Sequence, residues 1–179
     1  LGAVVGIIYT YHHKIDTWAL ADIVAPAIIL GQAIGRCANL MNGDAYGAPT
    51  GSAFGILYPE STLAFLTYGN QPLWPAEVWE GQLDFVIFAL LLIFRATNHA
   101  KGQAFALYIM LYSAARFFLE YLRGDYNGLI FGLFKSAQMT SLISFSIALI
   151  FFIWLGLHKK TSDTPRSTEK GRKKRTVHH

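Results

Sequence analysis

The run from Trp18 to Ile34 contains one charged side chain, Asp22, and is followed at once by Gly35-Arg36-Cys37-Ala38-Asn39-Leu40-Met41-Asn42-Gly43-Asp44-Ala45-Tyr46-Gly47. An apolar run of this length is close to the roughly 17–25 residues a helix needs to cross a bilayer. Lipid supplies no hydrogen-bond partners, so a polar, glycine-rich segment at its end is expensive unless it lines a protein-buried or watery cavity. Arginine is the side chain best suited to gripping a phosphate in such a place. The segment therefore points to recognition of an anionic group at membrane depth.

The rest of the chain repeats the apolar theme. Charged residues make up only 15% of it and apolar residues 53%, with a mean hydropathy of +0.34. A soluble domain carries about a quarter charged residues. Leu1 to Thr10 is too short to span alone and reads as the end of a helix whose beginning is absent, so the chain looks like a fragment. Trp18 to Ile34, Val78 to Phe94, Phe105 to Leu122 and Leu142 to Leu157 each approach spanning length. The expected fold is an all-α integral membrane protein with about five transmembrane helices and one long extracytoplasmic loop, Arg36 to Glu77. Pro26 should kink its helix or sit where a neighbour satisfies the freed carbonyl. Residues 1–158 form the membrane-embedded part, and residues 159–179 a basic tail expected to be disordered.

Basic residues set the orientation. Lys14, Arg95, Lys101 and the tail place eleven on one side, and Arg36, Arg116, Arg123 and Lys135 are the four that remain. The side richer in Lys and Arg is cytoplasmic, so the tail lies inside and the long loop outside. The tail itself reads as a topology signal and a contact for anionic membrane lipids rather than a nucleic-acid site. Cys37 is the only cysteine; it has no evident base and reads as a small packing residue. His12, His13 and His99 fall in short loops without ligand spacing and read as solvated. Neither a metal nor a cofactor is expected.

A second polar group lies in Phe105 to Leu122. At 100° per residue Arg116 and Arg123 fall about 20° apart, with Glu120 about 40° from Arg116. If the helix ends near Leu122, Arg116 sits about 10 Å deep, at 1.5 Å per residue. It needs a partner or a watery cavity there. An Arg116–Glu120 pair that satisfies itself is one reading. The other sets Arg36 and Arg116 on different helices as two sides of a phosphate clamp, with Glu120 holding one guanidinium in place. Glu77 and Glu80 share a face at the start of the third segment, either to bind arginine or a substrate hydroxyl, or as a solvated first turn. Trp74 and Trp79 beside them suit interfacial anchors.

These constellations, in this order, resemble the prolipoprotein diacylglyceryl transferases of the bacterial inner membrane. The family pattern G-R-x-G-N-F-x-N-G-E-x-x-G is met by Gly35, Arg36, Asn39, Asn42, Gly43 and Gly47. H-P-x-Q-L-Y-E is met by Pro75 and Glu80, F-R-x-x-x-E-x-x-R by Arg116, Glu120 and Arg123, and G-Q-x-x-S by Gln138 and Ser141. Ala38 stands for a glycine of the pattern, Asp44 for a glutamate, and Trp74, Glu77 and Trp79 for His, Gln and Tyr. Family members also carry an upstream H-G-G motif, whose histidine matters for activity, and this chain starts after that point.

The resemblance implies transfer of the diacylglyceryl group of phosphatidylglycerol to the lipobox cysteine of a prolipoprotein signal peptide, releasing glycerol phosphate, as the first step of lipoprotein maturation. It makes Arg36, Arg116 and Glu120 the catalytic candidates. Arg36, Asn39, Asn42, Gly43, Asp44, Gly47, Glu80, Arg123 and Gln138 become the substrate-binding ones. The rival readings are a non-catalytic homologue that binds lipid or lipoprotein, and a small transporter with an arginine-lined anion path.

Overall fold

The computed structural model describes residues 2–123, 129–130 and 134–162. Among these residues six helices carry the architecture: α1 (Gly2–His12), α2 (Thr17–Asn42), α3 (Leu63–Tyr68), α4 (Ala76–Arg95), α5 (Gln103–Leu119) and α6 (Ser136–Ser162). Among the described residues, a two-residue antiparallel pair, β1 (Leu129–Ile130) with β2 (Phe134–Lys135), is the one departure from the helical class besides isolated bridges. Of the expected disordered tail, residues 159–162 instead continue α6 to Ser162, and residues 163–179 lie outside the described residues.

α2 and α6 are long and apolar enough to cross a membrane, and α5 is a shorter apolar helix. α4 is of similar length, but Glu77, Glu80 and Asp84 break its apolar composition. The five expected spans are thus two clear ones, one shorter apolar helix and two helices that composition alone does not single out. α6 turns Leu142, Ile143, Ile147, Ile150, Ile153, Trp154 and Leu157 outward. So large an exposed apolar surface marks contact with a membrane or a partner.

α2 packs along α4, and α5 along α6, with α5 also touching α2 and α4. Ile29, Ile87 and Leu91 form the centre of this packing, flanked by Leu107, Tyr108, Leu111, Tyr112 and Ala115. α2 begins at Asp16, whose side chain accepts from the amides of Trp18 and Ala19. Pro26 sits buried within it. It ends at Gly43, which adopts φ 69° and donates its amide to the carbonyls of Asn39 and Leu40. Gly35 to Asn42 is therefore helix, not the start of the long loop. The expected loop begins only at Gly43.

Asp22, the lone charge in the apolar run, is buried and accepts from the amides of Gly102 (2.7 Å) and Phe105 (2.9 Å). It thereby satisfies two of the orphan donors at the start of α5. His99 lies against it at 3.8 Å and stacks on Phe94. That corrects the solvated-loop expectation for His99, because the short turn folds back onto the helices. At the same end Lys101 pairs with Asp16 at 2.7 Å, which ties the α1–α2 and α4–α5 turns together.

At the other end, residues 43–75 form a small cap. Tyr46, Tyr58, Ala64 and Leu73 make its core, with Ile56 and Tyr68 against them. Within it, Ile56 forms an isolated antiparallel bridge with Leu73. The cap is stitched to the segment that follows α5 by the Gly47–Arg123 bridge and by the amide of Ala48, which donates to the carbonyl of Leu122; α5 itself ends at Leu119, short of the expected Leu122.

Candidate functional site

Under the cap, the near ends of α2, α4 and α5 converge on two carboxylates. Glu80 arrives one turn inside α4 with its side chain 3% exposed, and Glu120 follows α5 with its side chain fully buried. Two carboxylates cannot be desolvated so thoroughly without cations beside them. Three arginines supply those cations. Arg36 Nη2 donates to Glu80 Oε1 at 2.6 Å. Arg116 Nη2 meets Glu120 Oε2 at 2.9 Å, and its Nη1 lies 3.9 Å from Glu80 Oε2. Arg123 reaches Glu80 Oε2 at 3.8 Å and Glu120 Oε2 at 4.0 Å.

Glu80 is thus the hub, and all three arginines meet on it. The Arg116–Glu120 pair exists, yet it is one edge of a wider network rather than a self-satisfied couple. Close helix approach makes the arrangement possible. A Cβ on Gly81 would stand 3.2 Å from the Cβ of Arg36, so α2 and α4 nearly touch at this level. Lys135 finishes the end of α5 by donating Nζ to the carbonyls of Glu120 (2.9 Å) and Arg123 (3.1 Å), the usual place for a cation. Gln138 accepts from the amide of Lys135 at 3.0 Å.

The other expected residues separate into two groups. Asn39 lies one turn after Arg36 and accepts from its Nη1 at a long 3.5 Å. Gly43 and Gly47 hold the cap. A side chain at Gly43 would meet Thr62 at 2.5 Å, and one at Gly47 would collide with the carbonyl and Cβ of Trp74. Asn42 is exposed at the last residue of α2, and Asp44 is half-buried just past it. Neither joins the ion-pair network, so the structure brings together Arg36, Asn39, Glu80, Arg116, Glu120 and Arg123 and leaves Asn42 and Asp44 at its margin. The opening stretch divides there because its helix ends at Gly43.

Three features escaped the sequence. Glu77 is fully buried and accepts from the Tyr58 hydroxyl; burial and the neighbouring carboxylate push the Tyr58 hydroxyl well above the usual phenol range. With Glu80 also buried, the solvated first turn is ruled out. Trp74 and Trp79 are half-buried and lie 5.6 Å apart between cap and helix. Asp84 is the third: it is fully buried one turn beyond Glu80, and neither oxygen has a hydrogen-bond partner among the described residues. Cys37 is exposed beside Arg36 instead of packed, a correction that follows from its place on the outer face of α2.

The network also retains donor capacity. Arg36 Nε, Arg116 Nη1 and Gln138 Nε2 are buried and lack hydrogen-bond partners among the described residues. Buried donors of this kind cost about 1–3 kcal/mol each when unmet. Arg116 borders a cavity of about 520 Å³ between α5 and α6, lined also by Tyr108, Tyr112, Ser136, Thr140 and Ser141. Arg36 borders a smaller one of about 140 Å³ between α2 and α4. The two arginines are joined through Glu80 and border these two different cavities.

The family model for prolipoprotein diacylglyceryl transferase matches residues 1–154. Proteins named phosphatidylglycerol–prolipoprotein diacylglyceryl transferase are similar along most of the chain. The one from Listeria welshimeri is 40% identical over 157 residues, covering 85% of this chain and 56% of its own length. That of Oceanobacillus iheyensis is 34% identical over 157 residues, with 86% and 54% covered. That of Acaryochloris marina is 34% identical over 163 residues, with 89% and 58% covered. The chain therefore spans a little over half the length of these relatives. On the extent of these matches, the chain belongs to the prolipoprotein diacylglyceryl transferase family.

Proposed function

We propose that this chain carries the phosphate-binding part of a phosphatidylglycerol–prolipoprotein diacylglyceryl transferase, an enzyme of the bacterial cytoplasmic membrane. One observation supports the reading above the others: Arg36 and Arg116, held on the buried Glu80 and Glu120, each keep a buried donor, Nε and Nη1, with no hydrogen-bond partner among the described residues. A lipid phosphate offers the anionic acceptor oxygens that those donors lack.

The chemistry then runs as a displacement. The thiolate of the lipobox cysteine attacks the glyceryl carbon that bears the phosphate. A carbon–sulfur bond forms, the carbon–oxygen bond breaks, and glycerol phosphate leaves with the bonding electrons. Negative charge grows on the departing phosphate, where Arg36 and Arg116 stabilise it most. Glu80 and Glu120 hold the guanidiniums in place, Arg123 and Gln138 border the headgroup, and Asn39 orients Arg36. The nucleophile belongs to the substrate, so Cys37 has no role in the reaction.

The same reading places the site at the outer face, with five helices in the membrane and the tail in the cytoplasm. Eleven basic residues on one side against four support this, as does the Lys101–Asp16 tie between two turns at the same end. The test is direct. The full-length protein, phosphatidylglycerol and a lipobox peptide should yield diacylglyceryl peptide and glycerol phosphate. Arg36→Ala and Arg116→Ala should each lose about 100-fold or more in turnover, the scale of one transition-state donor, while still inserting into membranes. Product at the normal rate in either variant sinks the clamp, and lipid binding without any product favours a non-catalytic homologue.

A further inference from the structure

The cap carries an apolar surface that the arginine site does not use. Across residues 45–75 the only charged residue is Glu60, whereas a stretch of that length in a soluble domain carries about eight, at the usual quarter. Phe54 and Leu57 nevertheless stand 56% and 59% exposed there. The loop that presents them is closed and internally bonded. Pro49 and Ile56 both bridge the buried Leu73, so its two ends meet on one residue. Inside it the Thr50 hydroxyl donates to the carbonyl of Phe54 at 2.6 Å, and the amide of Phe54 donates to the Ser52 hydroxyl at 3.2 Å. A phenylalanine and a leucine held outward on an uncharged surface mark a contact with something apolar.

The neighbouring rings connect that surface to the helices. Phe54 lies 5.6 Å from Trp74, ring centre to ring centre, and Trp74 lies 5.6 Å from Trp79. Trp79 heads an outward stripe on α4, where Leu83, Val86, Leu90 and Ile93 follow at intervals of three or four residues and are all exposed. On a membrane helix such a stripe faces lipid, and tryptophans at its end sit at headgroup level. The three rings carry the stripe from α4 into the cap without a break.

We propose that the loop of residues 49–57 is a membrane-contact finger, with Phe54 and Leu57 seated in the headgroup layer beside Trp74 and Trp79. The occupant is the bilayer surface because the loop prolongs a face that already meets lipid, and because an uncharged surface lacks the polar rim of a protein interface. The finger holds down the cap that keeps water from Glu80. It rests on the membrane location of the family and not on catalysis.

The test measures depth. In the full-length protein with its own cysteines replaced, Ala53→Cys or Glu60→Cys carries a fluorescent nitrobenzoxadiazole label in vesicles of phosphatidylcholine and phosphatidylglycerol. Lipids with a nitroxide near the headgroup should quench the label at position 53 and spare the one at position 60, and aqueous iodide should do the reverse. Phe54→Asp should raise iodide quenching at position 53 about tenfold, the scale of withdrawing one large apolar side chain from an apolar surface, while Phe54→Leu keeps the shielding. Should Phe54→Asp fail to fold, lipid quenching at position 53 with Phe54 intact decides the matter alone. Equal iodide quenching at the two positions would overturn the finger. So would shielding that fades as the protein is diluted in lipid, which assigns the surface to a second copy, or shielding that needs an added lipobox peptide, which assigns it to the substrate. No turnover is read, so the transferase reading can fail while the finger stands.

Discussion

Glu80 is the single side chain on which the arginine network depends, and Glu80→Gln tests that directly. The substitution keeps shape and one acceptor oxygen but removes the charge that Arg36 meets at 2.6 Å and that Arg116 and Arg123 meet near 4 Å. Breaking a buried pair by deleting one partner costs about 3–5 kcal/mol. The retained acceptor and the slight exposure of the arginines put the expected loss near the lower end, about 3 kcal/mol. For a chain of this size about 1 kcal/mol moves the midpoint by about 2–4 °C, so thermal unfolding in detergent should shift down by about 6–12 °C. A lipid phosphate can then stand in for the missing anion. Phosphatidylglycerol should raise the midpoint of Glu80→Gln more than that of wild type, whereas phosphatidylcholine should not, since a ligand stabilises by its preference for the folded state. An Arg36→Gln/Glu80→Gln double variant should lose less than the two single variants added together, with a coupling of about 1–3 kcal/mol. An unchanged midpoint in Glu80→Gln, or additive losses in the double variant, would refute the hub.

Three further substitutions probe other parts of the same assembly. Gly47→Ala drives a methyl into Trp74 and should loosen the cap, costing about 2–4 kcal/mol and exposing residues 43–75 to limited proteolysis before the helices unfold; equal protease resistance would remove the cap–helix contact as a determinant. Tyr58→Phe strips Glu77 of its hydroxyl partner and should cost about 1–3 kcal/mol by thermal unfolding, and a neutral result would mean that Glu77 finds another donor. Asp84→Leu replaces a buried carboxyl lacking a hydrogen-bond partner and should raise stability by about 1–3 kcal/mol; a loss of that size would show that Asp84 has a partner outside the described residues.

The helices were legible because lipid-compatible helices announce themselves by unbroken apolar runs. Trp18 to Ile34 and Leu142 to Leu157 lie within α2 and α6, the two that meet spanning length and composition. The ends were not legible. Gly35 to Asn42 reads as loop by its polar content, yet it stays helical because Gly43 is the residue able to stop it in the left-handed conformation. Asp22 shows the same limit from the other direction. Its charge within an apolar run suggested only a cost, and its compensation lies eighty residues away at the start of α5. No local pattern carries that information.

The site was half legible for a related reason. Arg116, Glu120 and Arg123 lie within one turn or two of each other, so the helical offsets brought them together from the sequence, although α5 ends at Leu119 rather than Leu122 and Glu120 and Arg123 follow it. Glu80 belongs to another helix, and its spacing to Glu77 fitted a solvated turn as well as a binding site. What decides between these is the cap, because a folded lid over residues 76–80 removes the water that a first turn would otherwise enjoy. The cap depends in turn on Gly43 and Gly47, two glycines of the opening motif, which let the chain pack closely on Thr62 and Trp74 within it. The motif thus contributes one arginine to the network and, through its glycines, the dry ceiling that makes Glu80 a counter-ion for three arginines. Replacing those glycines should therefore weaken anion binding without touching a single charged group.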